Sequence, residues 1–240
     1  MIDCSVNDPI MRDWIGSQAR ALRYRSHYDS SGSPVFAPPD TTQFASAFWN
    51  ACNDWSDDLN VRANNDLPGS PGVDWFGHVG TYNCSRVTAA HNHARGFDLA
   101  RVTWTSGLFC DMGGAWQGTR TQKRRYLGVA ATIRCRLDTV LTAWFNSDHN
   151  DHIHVDNLDP LGPIDDQASS DTSLIQAACN LLISSGLVIN GNWGSATEQA
   201  FDDLRNAIGM PPGSNIRGNL GDTKLFLGIV AACGFQDVSP

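Results

Sequence analysis

Five of the seven histidines in this 240-residue chain fall in two short stretches, AHNHARGFD at 90–98 and DHNDHIHVD at 148–156. Imidazoles and carboxylates grouped this way form the donor set of a divalent metal centre. If the second stretch is extended, alternation puts His152, His154 and Asp156 on one face. In the first, the small residues Ala94 and Gly96 allow a tight backbone approach before Asp98 projects from the start of a strand. Two histidines, one carboxylate and an open position describe a catalytic centre rather than a structural one. Zinc suits that set, and iron or another divalent ion also fits. Zinc would bring a bound water to a pKa of roughly 7, and a nearby group must then take its proton. Glu198 is the sole glutamate, so a base before it is Asp or His. Asp151 is the best placed, provided the strand begins or bends near 151–152; strict alternation would aim it at the opposite face. His93 and His149 read as outer or solvent-facing residues.

The elements that must position these groups mix helix and strand. The segment 43–55 reads as helix, 60–76 as loop, 77–83 and 96–104 as strands, and 120–145 as one long helix. The last carries Leu127, Ala130, Leu137, Val140 and Trp144 inward, and HIHVD at 152–156 reads as a short strand. This predicts an α+β fold: a small antiparallel sheet with flanking helices. Arg120, Lys123, Arg124, Arg125, Arg134 and Arg136 give the long helix a basic face, solvated or facing an anionic polymer.

Residues 157–172 (NLDPLGPIDDQASSDT) read as a linker between residues 1–156 and an all-α module at 173–240. Leu174, Ala178, Leu181 and Leu182 mark its first helix. Ser195 with Glu198 forms a capping box for the second, and Asp222 caps the third. A Cys179–Cys233 bridge would reinforce so small a core.

Net charge is −8, and neither part has the basic surplus of a nucleic-acid binder. No apolar run is long enough to span a membrane. The opening MIDCSVNDPIMRDW has no basic start followed by an apolar stretch, which suggests a mature form with an added Met or a lysin-like exit. Seven scattered cysteines without a CxxC pair favour disulfides in an exported protein over a cysteine zinc site. The odd count leaves at least one thiol free or paired between chains.

The residues Ala89-x-His91-x-x-Ala94-x-Gly96-x-Asp98, with the later His152-x-His154, resemble the zinc D-Ala-D-Ala peptidase superfamily, which includes the hedgehog signalling domain. That superfamily shows S-x-H-x-x-G-x-A-x-D and, in many members, a later H-x-H; here Ala89, Ala94 and Gly96 replace Ser, Gly and Ala. A closer resemblance, over about residues 43–157, is to the extensin-like C-terminal domain family. It rests on Tyr82-x-Cys84-x-Arg86, Cys135 and the ending His149-Asn150-Asp151-His152-Ile153-His154-Val155-Asp156. The resemblance implies zinc on His91, Asp98 and His154, with Asp151 as general base. His152 would orient water or stabilise an oxyanion, and Arg86 or Arg62 would bind substrate carboxylate or the transition state.

Leu174-Ile175-Gln176, Leu181, Gly186, Asn190-Gly191-x-Trp193-Gly194-x-x-Thr197 and Ala200-Phe201 resemble the three-helix peptidoglycan-binding domain, with Asn190 where that family carries Asp. Together the resemblances imply a secreted or phage-delivered monomer acting on bacterial cell wall. It would be a zinc peptidase, a carboxypeptidase or endopeptidase, cutting peptidoglycan peptides. The alternatives are a non-catalytic wall- or glycan-binding protein that keeps the metal site, or a metal-dependent hydrolase of another polymer.

Overall fold

The computed structural model describes residues 4–69, 71–84 and 89–240. In chain order the elements are β1 (Pro9–Arg12), β2 (Trp14–Ile15), β3 (Arg20–Tyr28), β4 (Pro34–Pro39), β5 (Thr42–Ala45), α1 (Ser46–Asp66), β6 (Val73–Gly80), α2 (Ala89–Asn92) and β7 (Gly96–Trp104). There follow β8 (Phe109–Asp111), α3 (Met112–Ala115), α4 (Arg120–Arg134), β9 (Thr139–Leu141), a 3-10 turn (Ser147–His149), β10 (Ile153–Asp156), α5 (Ser169–Ile183), α6 (Ser195–Ala207) and α7 (Leu220–Gln236).

The fold is mixed α and β, but its sheet is neither small nor purely antiparallel. Eight strands run in the order β2-β3-β6-β7-β10-β9, with β4 on β3 and β8 on β7; β1 and β5 form a separate pair. Strands β3 and β6 are parallel. A parallel pair needs a long crossover, and α1 lies in it. That helix runs to Asp66, through part of the segment predicted as loop. Its buried face, Cys52, Trp55, Leu59 and Ala63, keeps helical spacing past residue 60, and Asn60 Oδ1 accepts the Val73 amide at 2.8 Å where β6 begins.

The long helix expected over 120–145 ends at Arg134. Thr119 and Gln122 cap its start reciprocally. After it, Val140 pairs with Val155 as β9 joins β10. An apolar Val-Leu pair fits either period, and the free edge of β10 decides the outcome. The basic face is not simply solvated. Arg124 is buried and donates to the Leu181 carbonyl. Arg134 is buried and donates to Asp171 at 2.7 Å and to the carbonyls of Gly162 and Pro163.

Those contacts dock α5 on α4, α7 also packs on α4, and one hydrophobic core runs through both parts of the chain. The closest approach is at Gly234: a Cβ there would lie 2.6 Å from the Arg124 carbonyl oxygen and 3.1 Å from the Gly128 nitrogen. Within the helices, Gln176 organises the 190–197 turn. Its amide nitrogen donates to Asn190 Oδ1, the Asn192 carbonyl and Thr197 Oγ1, and its oxygen accepts from the amides of Asn190 and Gly191. Glu198 is not a capping-box partner: Gly194 is the N-cap of α6, and Glu198 accepts from Trp193 Nε1 and Arg217. Asn219, not Asp222, caps α7. Cys179 and Cys233 are unbridged buried thiols; the disulfide joins Cys4 to Cys84, and Cys52, Cys110 and Cys135 are free. No helix among the described residues is long and apolar enough to cross a membrane.

Candidate metal centre

Strands β7 and β10 are neighbours in antiparallel register with His154 opposite Asp98. Helix α2 stands at the start of β7 and brings His91 over the same point. Gly96 makes this approach possible: a Cβ there would sit 3.2 Å from His154 Cε1 and 3.3 Å from His91 Cε1. Ala94 turns the chain between α2 and β7 in the left-handed region, φ +53°. Its amide donates to the His91 carbonyl. Glycine adopts that conformation without Cβ strain, and alanine is the smallest side chain that can replace it.

The result is a cluster of acceptors. His91 Nε2 lies 3.2 Å and His154 Nδ1 2.8 Å from Asp98 Oδ1. The opposite ring nitrogens are already engaged. His91 Nδ1 donates to the Thr81 carbonyl at 2.7 Å, and His154 Nε2 donates to Asp156 Oδ2 at 3.1 Å. Those bonds assign the ring protons outward and turn two imidazole lone pairs toward a carboxylate oxygen. Three acceptors facing one point require a cation, and all three residues are buried. The three ligand atoms lie within 4.8 Å of one another, the one such group among the described residues, and it could hold a metal ion. A proton can stand in for that cation. Burial disfavours a charged His154, but Asp156 and Asp98 outweigh it and raise its pKa to about 9. Burial likewise raises Asp98, while the adjacent His154 and His91 rings bring it well below the ordinary carboxylate range.

The remaining sequence-singled residues sort into two groups. Strand β10 begins at Ile153, so Asp151 and His152 precede it and escape strand alternation. His152 Nδ1 donates to Asp151 Oδ1 at 2.7 Å, and its Nε2 stands 3.6 Å from Asp98 Oδ1. His149 packs against His152 and His154 with ring centroids 5.2 and 6.1 Å apart. Burial, then the two neighbouring rings, lower its pKa to about 4. Outside the centre, His93 donates to or accepts from no cluster member and its Nδ1 meets the Ser5 carbonyl at 2.6 Å. Arg62 lies on α1 against Asp66 and Gly228, away from the centre. Arg86 falls outside the described residues.

Sequence reasoning missed Arg25. Its guanidinium, on β3, donates to the Asp151 carbonyl at 3.0 Å and to Asp151 Oδ2, with Tyr28 beneath it. First the His152 hydrogen bond, then Arg25 against the opposing effect of burial, keep Asp151 ionised well below its usual range. No local pattern announces a contact that spans 126 residues. Asp156, the outer partner of His154, was legible from the H-x-H-x-D alternation. An open cleft lined by Arg25, Tyr28, Asp98, Asp151 and His152 leads to the centre.

Searches of curated proteins and of solved structures returned no match. Residues 35–162 match the family described as extensin-like protein C-terminus. The matched span holds His91, Asp98, Asp151, His152 and His154 and leaves Arg25 and α5–α7 outside it. It covers more than half of the chain, with the whole acceptor cluster inside, and the chain belongs to the extensin-like protein C-terminus family.

Proposed function

We propose that the chain is a zinc-dependent peptidase of the D-Ala-D-Ala peptidase and hedgehog superfamily that hydrolyses amide bonds in peptidoglycan peptides. The observation that carries this reading is the convergence of His91 Nε2, His154 Nδ1 and Asp98 Oδ1 beside an open cleft, with His152 facing them. Two imidazoles and one carboxylate suit zinc. Zinc held there would supply an activated water and polarise the scissile carbonyl.

The chain's own groups divide the remaining work. Asp151 has one oxygen on His152 and the other on Arg25, which makes it a poor proton acceptor. His152 offers its Nε2 lone pair on the centre's side. We therefore assign proton acceptance to His152 Nε2 and the fixing of that tautomer to Asp151, in place of the Asp151 general base and the water- or oxyanion-orienting His152 that the family resemblance implies. The proton then passes from His152 to the leaving amine. Arg25 holds the Asp151 carboxylate and backbone together. Thr81 and Asp156 orient the two metal-binding rings.

The three C-terminal helices, in this reading, hold the enzyme on its polymeric substrate and raise its local concentration. The Cys4–Cys84 disulfide suits an exported protein of the bacterial envelope. The test is incubation of the purified protein with peptidoglycan and mass spectrometry of released fragments, with and without chelator. Chelator-sensitive release of peptide fragments supports the reading. Binding to wall without any product, equal in His152→Ala, replaces it with a non-catalytic wall-binding protein.

A further inference from the structure

One buried group near the centre has no part in the roles above. His78, on β6, is 4% exposed, and neither ring nitrogen has a hydrogen-bond partner. Its ring stacks on Phe97 and meets Tyr24 edge-on at 5.7 Å. Burial holds it neutral, with its pKa lowered to about 4. A neutral imidazole carries one donor and one acceptor, and a buried polar group left without partners is costly.

His78 lines a pocket of about 210 Å³ with Tyr24, Asp40, Thr42, Thr81 and Tyr82 among its walls. We infer that this pocket is a saccharide subsite that takes one neutral, hydroxyl-bearing sugar ring beside the metal centre. The lining is hydroxyl-rich and contains one carboxylate, Asp40, and no Lys or Arg among the described residues. An anionic group would meet Asp40 without a compensating cation. An ammonium would satisfy Asp40 but cannot accept a proton, so it leaves the imidazole N–H unpaired. A sugar hydroxyl both donates and accepts, so one ring offers partners of the kind that His78 and Asp40 both need. Tyr24, an exposed aromatic, offers a ring to the apolar face of a pyranose. The volume is below the ~300 Å³ at which pockets for drug-sized ligands begin, which suits one ring rather than several.

The pocket adjoins the cleft at the centre: Tyr24 and Val79 line both, and His91 forms part of its wall. A glycan bound there brings its attached groups toward His152. That placement rests on the hydrolytic reading of the centre; the sugar binding does not.

The experiment is titration of the full-length, chelator-treated protein with a β-1,4-linked N-acetylglucosamine tetramer. Calorimetry and the ring-nitrogen NMR signals of labelled histidine are the readouts. The expected result is saturable binding that shifts the His78 ring signals and weakens at least tenfold in His78→Phe and Asp40→Asn. Tyr24→Ala, at an exposed position, provides a third variant should His78→Phe not fold, and it too should weaken binding. No saturable binding, unshifted His78 signals, or equal affinity in all variants overturns the inference and leaves the pocket holding water. Peptidoglycan digestion is scored separately. Sugar binding without digestion keeps the subsite and removes the hydrolase; digestion without sugar binding does the reverse.

Discussion

The imidazole of His154 donates its Nε2 proton to Asp156, two residues along the same strand, at 3.1 Å. This bond decides which nitrogen faces Asp98. Without it the ring is free to change tautomer or turn, and the lone pair at Nδ1 is no longer assured. Loss of such an outer partner typically lowers metal affinity about 10–100-fold. Asp156→Ala should do so, as read by competition with a chromophoric chelator. Affinity equal to wild type would show that Asp156 plays no part in orienting the ring.

Gly96 makes a second, purely steric prediction. A methyl group there would press on both His91 and His154 at 3.2–3.3 Å, tighter than ordinary contact. Overpacking of this kind costs about 1–3 kcal/mol. In Gly96→Ala the rings must separate, so metal affinity should fall roughly tenfold or more. Isothermal titration of the metal-free variant checks this.

Arg25 is held apart from the candidate metal ligands but bonded twice to Asp151. Arg25→Ala should leave metal stoichiometry intact and let the 150–152 turn drift. Misplacement of a catalytic group by about 1 Å costs on the order of 100-fold in rate, so on the hydrolytic reading proposed above the release of wall fragments should fall by that amount. Arg25→Lys should not rescue it, because a point charge cannot make the paired contact. A parallel loss of metal would show that Arg25 supports the fold rather than the proton acceptor.

These three residues also show where the sequence was informative. Strand β7 coincides with the predicted 96–104 and β10 falls within 152–156, because Val102, Thr103 and Trp104 favour extended chain and HIHVD alternates polar with apolar residues. The acceptor cluster was legible because its members lie in two local stretches. Arg25 and the Thr81 carbonyl were not: Arg25 meets Asp151 only once β3, β6, β7 and β10 lie side by side, and a backbone carbonyl carries no side-chain signal in the sequence. The end of α4 was equally hidden: Val140 and Leu141 suit helix and strand alike, and a long-range pairing with β10 chose between them. Glu198 failed as a capping residue because Arg217 and Trp193 compete for it.

His78 predicts a pH dependence. Its folded pKa is lowered to about 4 from 6.5, so the unfolded chain binds the extra proton first. The neutral ring's stability advantage is therefore present above pH 6.5 and is lost as pH falls toward 4. At full titration the shift is worth about 3 kcal/mol. His78→Phe should remove that part of the acid sensitivity, and at neutral pH it should match or exceed wild type, having replaced an unpartnered polar ring with an apolar one. Urea unfolding at pH 7 and pH 4.5 makes the comparison. A constant difference between the two proteins at both pH values would contradict it.

Helices α4 and α7 touch backbone to backbone at Gly128 and Gly234. In Gly234→Ala the new methyl would meet the Arg124 carbonyl oxygen at 2.6 Å and the Gly128 backbone at 3.1–3.2 Å. None of these is a flexible side-chain tip that can swing aside. Alanine favours a helix over glycine by about 1 kcal/mol, but moving α7 off α4 would also disturb Phe235 on Gly128 and the Arg124 bond to Asp237 at the end of α7. The clash should win, with a net loss of roughly 1–3 kcal/mol, or several degrees in Tm. Gly114, where a methyl meets nothing within 4 Å, is the control, and Gly114→Ala should not destabilise. Because one core spans both parts, calorimetry of Gly234→Ala should show one transition shifted as a whole. Two separated transitions, with the earlier one alone displaced, would mean that α5–α7 melt independently of the sheet that carries the metal centre.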